Sequence, residues 1–253
     1  MKLLQYQFLF EELVQRDFKK KYKRTILGMV WSVLSPLLMM SVLAVIFGNF
    51  FGRTIPHFVI YLFSGQIIFN FFTEATNSGM NSLMENRSIF TKINIPKYLF
   101  LFSKNVSASI NFGIILLIYF FAVAIEGLPF TWKFLCLAYP VVCLVGINLG
   151  MGLILSALFV FFRDIQYIYR LVTQVIMYGS AIFYNINILP DNIQRLFYLN
   201  PIFVCITYFR SIVIENTIPN IYIHGILAFY AMALFSIGCY IYKKYNYRFL
   251  YYV

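Results

Sequence analysis

The feature that most constrains this chain is a succession of apolar runs, each near the roughly 20 residues a helix needs to cross the hydrocarbon of a bilayer. Residues 26–51 and 106–125 carry no charged side chain, and nearly uncharged runs cover about 58–80, 132–162, 165–184 and 221–242. Charged residues fill only 11% of the 253 positions and hydrophobic ones 61%, whereas a soluble domain carries about a quarter charged residues. No soluble core of this length hides so much apolar surface, so the solvent is lipid. Lipid offers the backbone no hydrogen bonds, so helices satisfy it internally. The expected fold is therefore an all-α integral membrane protein of six transmembrane helices, forming a single domain over residues 1–253.

Charge fixes its expected orientation. The net charge of +11 does not point to nucleic acid, because the basic residues lie in short segments between the apolar runs. Sixteen of the 20 lysines and arginines fall on the side of the N-terminus, leaving Arg53, Lys133, Arg195 and Arg210 on the other. That bias places both termini and residues 81–104 in the cytoplasm. The first apolar run follows a long charged segment and has no small-residue cleavage pattern, so no cleaved signal peptide is expected.

The segments between spans have distinct characters. Residues 1–24 place Leu3, Tyr6, Phe10, Val14, Phe18 and Tyr22 at helical spacing among Arg16, Asp17, Lys20 and other charges, predicting an amphipathic interface helix on the membrane surface and anionic headgroups. The second span turns polar, and Glu74 is the one acid expected inside a span, with a helix-to-helix hydrogen bond as its first role and a part in transport as the other. Residues 81–104 are too polar to span and too apolar for a plain linker. Pro140, Gly146, Gly150 and Gly152 in the fourth run suggest a kink or close helix packing. Residues 185–220 hold two short apolar pieces broken by prolines, which fits a re-entrant outer segment. Arg163 and Asp164 read as a structural pair at a helix start.

Chemistry is missing from this inventory. The chain has no G-x-x-x-x-G-K-[ST] phosphate loop, no metal-spaced histidines and no nucleophile–base arrangement. Cys136, Cys143, Cys205 and Cys239 are dispersed and read as apolar fillers, with no metal site among them. No catalytic residue and no bound cofactor are expected in this chain.

Four stretches, in order, resemble one known family. LVQRDFKKKYKRTILGMVWSVLSPLLMM is similar to its amphipathic helix entering the first span, and NFFTEATNSGMNSLMENRSIFTKINIPK to its second span and cytoplasmic coupling helix. GLILSALFVFFRDIQYI resembles the end of its fourth span, and ILPDNIQRLFYLNPIFVCITYFR its re-entrant outer hairpin. The family comprises the membrane subunits of ABC-2-type exporters of lipid-linked O-antigen, capsule, rhamnan or teichoic acid. The resemblance implies a homodimer in a bacterial cytoplasmic membrane, bound to two copies of a separate ATPase that holds ATP and magnesium, with a lipid-linked polysaccharide as cargo. It departs from the family at Ser180-Ala181-Ile182-Phe183, where the family carries a proline, and this bears on the shape of the outer exit.

Within that resemblance, Glu85, Asn86, Ile89, Phe90, Lys92, Ile93, Ile95, Pro96 and Lys97 are the expected ATPase-coupling residues. Ile89, Phe90, Ile93 and Ile95 are read as exposed apolar groups with a charged rim, the pattern of a docking surface. Ser32, Ser35 and Met39 on the first span and Tyr178 and Tyr184 on the fifth are candidate channel-lining residues, offering hydroxyl groups and aromatic faces to sugars. Two other readings stay open from sequence: an exporter of a drug or simple lipid, and a non-transporting scaffold subunit of a membrane synthase.

Overall fold

The computed structural model describes residues 6–22, 28, 30–51, 55–93 and 95–252, apart from the side chains at 21, 22, 32, 33, 49–51, 250 and 251. All regular structure among them is helical. In chain order these helices are α1 (Gln7–Tyr22), α2 (Val30–Phe51), α3 (Phe58–Glu85), the single turn α4 (Arg87–Phe90), α5 (Tyr98–Ile125), α6 (Ala138–Phe161), α7 (Ile165–Tyr178), α8 (Asp191–Phe197), α9 (Pro201–Val213), α10 (Ile221–Tyr245) and α11 (Phe249–Tyr252). Among the described residues, four segments are long and apolar enough to cross a membrane: α3, α5, the 30-residue Trp132–Phe161 and α10. The α8–α9 pair, bent by 101°, is a broken span or a re-entrant loop. In α2 the described apolar stretch is Leu34–Gly48.

Lipid does not drive helix against helix by the hydrophobic effect, so close backbone approach and interhelical hydrogen bonds must do it. The glycines of α6 serve the first purpose. A Cβ on Gly150 would sit 2.4 Å from the backbone of Leu234, and one on Gly238 would sit 2.8 Å from the Gly150 carbonyl oxygen. Gly79 and Gly152 bring α3 and α6 together in the same way, with a Cβ on Gly79 falling 3.2 Å from the Gly152 Cα. These residues make a packing seam. Pro140 lies in the first turn of α6, where a proline forfeits no intrahelical bond, so it follows the 3₁₀ turn Trp132–Leu137 without kinking the helix.

At 28 residues, α3 and α5 are each about 42 Å long against a hydrocarbon of about 30 Å, so both run past it. Basic residues mark one end. There Lys97 Nζ donates to the Asn246 carbonyl and lies over the rings of Phe90 and Phe249, and Phe249 meets Phe161. The other end is tied by His57 to Glu126 at 3.3 Å, by Lys133 Nζ to the Asn216 carbonyl at 2.6 Å and by Thr131 to Asn216 at 2.9 Å.

The fifth expected span is where the structure departs most from the sequence reading. Instead of running to residue 184, α7 stops after 14 residues, about 21 Å, because downstream side chains capture its continuation. Asn200 Nδ2 donates to the carbonyls of Ile176 and Gly179 and to Ser180 Oγ at 3.3, 2.9 and 2.9 Å. Arg210, only 7% exposed, donates through Nη1 to the Ala181 carbonyl at 3.0 Å and through Nη2 to that of Ile182 at 3.1 Å. Ala181 adopts φ 47°, which turns the chain away. The same guanidinium reaches the Tyr61 carbonyl from Nε and Nη2, at 3.2 and 3.0 Å, and lies 3.4 Å from the Tyr61 ring centroid. A buried cation is thus held by three carbonyls, the Ser64 hydroxyl and an aromatic face, with no carboxylate paired to it among the described residues.

Replacing Arg210 strips several buried carbonyls of donors at a cost of about 1–3 kcal/mol each. Arg210→Met is therefore expected to lower stability by at least about 3 kcal/mol. Arg210→Lys should recover only part of the loss, because an ammonium lacks the planar five-donor fork. Unfolding of the purified chain in detergent reads this out, and a methionine variant as stable as the parent would contradict it.

Candidate coupling site at the basic end of the bundle

The interface helix does not simply lie on lipid. Leu9, Phe10 and Leu13 of α1 pack into the core of the basic end, where Leu13 is only 3% exposed. One turn beyond Leu13, Asp17 turns the same way and meets a cluster of charges. Its Oδ1 accepts from Arg16 Nη2 at 2.9 Å and lies 3.2 Å from Lys104 Nζ. Lys104 Nζ also donates to Glu85 Oε2 at 2.9 Å, and Lys20 Nζ approaches the same oxygen at 3.3 Å. Arg16 Nη2 donates to Asn86 Oδ1 at 2.8 Å, while Asn86 Nδ2 donates to the Ser82 carbonyl at 2.7 Å and closes the end of α3.

Arg16, Asp17 and Lys20, expected on one element, and Glu85 and Asn86, expected on another, thus form a single constellation. Its centre is Lys104, which lies outside the coupling and interface residues expected from sequence. The usable signal was a lysine inside the apolar periodicity that opens α5. The members differ in weight. Lys104 and Asp17 side chains are 9% and 3% exposed, the regime in which losing one partner strands a buried charge. Lys20 and Glu85 are 65% and 38% exposed, so their pairing is worth about 1 kcal/mol or less.

The connector from α3 to α5 corrects the expected docking face. Phe90 and Ile95 are 4% and 6% exposed and belong to the core with Leu13, Leu83, Phe100 and Phe249. Ile89 and Pro96 are half-buried, and Lys97 is buried, which pushes its pKa below the usual lysine value. Turning these groups inward leaves Arg87, Ser88, Thr91, Lys92 and Ile93 on the outside. The surface offered to a partner is polar and basic with one isoleucine.

The remaining expected residues are dispersed. Glu74 is half-buried and accepts from Asn111 Nδ2 at 2.9 Å, joining α3 to α5. Arg163 and Asp164 do not pair; Arg163 stacks over Phe159 at 5.3 Å, and the Asp164 side chain makes no capping bond to α7. Ser35, Met39 and Tyr178 are exposed, whereas Tyr184 is half-buried and donates to the Tyr178 carbonyl at 2.8 Å. The side chains of Tyr22 and Ser32 lie outside the described residues.

The profile of the ABC-2 type transporter family matches residues 9–214, from α1 through α9. The chain belongs to the ABC-2 type transporter family. Among its relatives, the O-antigen export system permease protein RfbA of Myxococcus xanthus is 29% identical over 223 residues, 86% of this chain and 85% of the relative. A Klebsiella pneumoniae protein of the same name is 26% identical over 249 residues, covering 96% and 95%. The polysialic acid transport protein KpsM of Escherichia coli is 21% identical over 236 residues, 92% of each. The matched span of this ABC-2 chain contains the whole charge constellation.

In this ABC-2 chain, Lys104→Met leaves two carboxylates facing an apolar side chain. It is expected to destabilise by about 3 kcal/mol, while Lys20→Ala changes stability by no more than about 1 kcal/mol. Thermal unfolding in detergent compares the two, and equal effects would contradict the ranking.

Proposed function

We propose that this chain is the membrane subunit of an ATP-driven exporter that moves a lipid-linked cell-surface polysaccharide across the bacterial cytoplasmic membrane. It works as a homodimer with two copies of a separate ATPase, which binds ATP and magnesium, and the basic end faces the cytoplasm. The observation that carries this reading is end-to-end similarity to permeases of O-antigen and capsular polysaccharide export. A sequence without a phosphate-binding loop fits the division of labour, since nucleotide hydrolysis then belongs to a partner chain.

The geometry supports a route for the force. A partner pressing on Arg87, Ser88, Thr91, Lys92 and Ile93 meets a connector whose Phe90 and Ile95 are set in the core. The Lys104 cluster ties that core to α1 and to the ends of α3 and α5. A push would therefore reach three helices together. In this reading the exposed faces of α2 and α7, including Ser35, Met39 and Tyr178, serve the second subunit and the cargo path. In this reading the bent α8–α9 pair is the re-entrant segment at the outer face.

Reconstitution of the chain with the ATPase from the adjacent reading frame tests the proposal. Liposomes are expected to move a labelled lipid-linked glycan only when ATP is present. ATP hydrolysis without glycan movement would redirect the search to a drug or simple-lipid cargo, and failure to bind any ATPase would favour the scaffold role. Lys92→Glu with Ile93→Asp is expected to abolish co-purification of the ATPase while leaving the Tm of the chain unchanged. Phe90→Asp, by contrast, should lower the Tm.

A further inference from the structure

Of the four membrane-length segments, α10 is the one least covered by its own subunit. Only Leu227, Gly238 and Tyr242 of its 25 residues are fully buried, and Phe229, Met232, Ile237 and Tyr240 stand exposed along it. At about 38 Å the helix exceeds a hydrocarbon thickness of about 30 Å. Its last turn therefore reaches the headgroups.

That turn and the one after it carry cations with nothing to balance them. Lys243, Lys244 and Arg248 are all exposed, and among the described residues none of their side chains has an ion pair or a hydrogen-bond acceptor. Glu215 is the last acid of the chain, so α10 and α11 supply no carboxylate. The acids paired at this end, Asp17 and Glu85, are taken by Arg16, Lys20 and Lys104. Aromatic rings instead fix where two of the cations stand. Lys244 Nζ lies 5.8 Å from the Tyr240 ring centroid and 5.6 Å from that of Tyr245, and the Arg248 guanidinium lies 5.8 Å from the same Tyr245 ring. One ring thus gathers the cation before the end of α10 and the cation after it. Stacking on a ring leaves the N–H donors of a cation open to an anion.

We propose that the basic end of α10 is a binding site for the headgroup of an anionic phospholipid. Lys244 and Arg248 share the phosphate, and Lys243 adds to the attraction. Two features match a lipid. The sign of the cluster complements an anionic headgroup, and the exposed apolar side of α10 leads into it through Tyr240, one turn before Lys244, so acyl chains and headgroup are met together. Exposed tyrosines at this depth, Tyr240 and Tyr247, suit the membrane–water boundary. Arg248 also precedes Phe249, which is buried against Phe161 and Tyr242 and lies under Lys97. A lipid held at Arg248 therefore steadies the core of the basic end.

The test places a fluorophore on Cys239, an exposed position one turn before Lys243, in the full chain with its other cysteines replaced by alanine. Phosphatidylcholine vesicles receive either phosphatidylglycerol or phosphatidylcholine bearing the same doxyl quencher near the headgroup. Phosphatidylglycerol is expected to half-quench at a mole fraction at least about tenfold lower, and Lys244→Gln to reduce that preference about fivefold. The triple variant Lys243→Gln, Lys244→Gln, Arg248→Gln should abolish it, whereas Lys243→Arg, Lys244→Arg, Arg248→Lys should keep it. Phosphatidylglycerol should also raise the Tm of the parent and not that of the triple glutamine variant. If that variant unfolds, Lys244→Gln alone carries the comparison. Equal quenching of the parent by both lipids would overturn the site. So would an equal loss on Lys19→Gln, which marks a diffuse basic surface, or a triple variant that keeps the lipid preference and loses the ATPase, which marks a protein contact.

Discussion

Lys104 is the side chain on which the basic end depends. An ammonium this enclosed is tolerable only where carboxylates meet it, and here Asp17 of α1 and Glu85 of α3 do so at 3.2 and 2.9 Å. Each partner comes from a different helix, so the ion pairs specify where three helix ends lie relative to one another. Arg16 adds a direct link to Asn86, which itself closes α3. Around this polar centre, Leu13, Phe90, Ile95, Phe100 and Phe249 supply a core that joins α1 and the α3–α5 connector to the long helices.

The opposite end is held differently. Arg210 has no counter-charge among the described residues, and carbonyl oxygens from α3 and from the turn after α7 surround it. Carbonyl dipoles are fixed to the backbone, so this arrangement fixes backbone geometry directly, while ion pairs between long side chains at the basic end can follow a moving helix. Between the two ends, glycine contacts bring α6 against α10 and α3 at backbone distance. By contrast, α7 buries only Tyr169 and Thr173 fully.

Much of this was legible in the sequence. Apolar length alone located α3, α5, α6 and α10, since hydrocarbon thickness sets that length. Charge asymmetry anticipated that Lys97, Lys104 and the residues after α10 share one end. What escaped was decided by residues distant in sequence. The fifth apolar run looked continuous to residue 184, yet Asn200 and Arg210 take the carbonyls that would have extended it. Phe90 and Ile95 looked like a docking face beside lysines, yet Leu13 and Phe249, from the two ends of the chain, provide the core they enter. Arg163 and Asp164 looked like a pair, but a ring one turn earlier offered the arginine a better seat.

The claim that joins structure to function is that α1 and the α3–α5 connector move as one body when a partner acts on them. Spin labels on Glu12→Cys and Ser88→Cys, both at exposed positions, with the native cysteines replaced, report the distance between those elements in the complex. In complexes with both labels on one subunit and an unlabelled second subunit, pulsed electron paramagnetic resonance is expected to give one narrow distance, the same without nucleotide and with ATP trapped in the partner. A distance that shifts or splits on ATP binding would contradict the single-body account and place the moving joint within the Lys104 cluster.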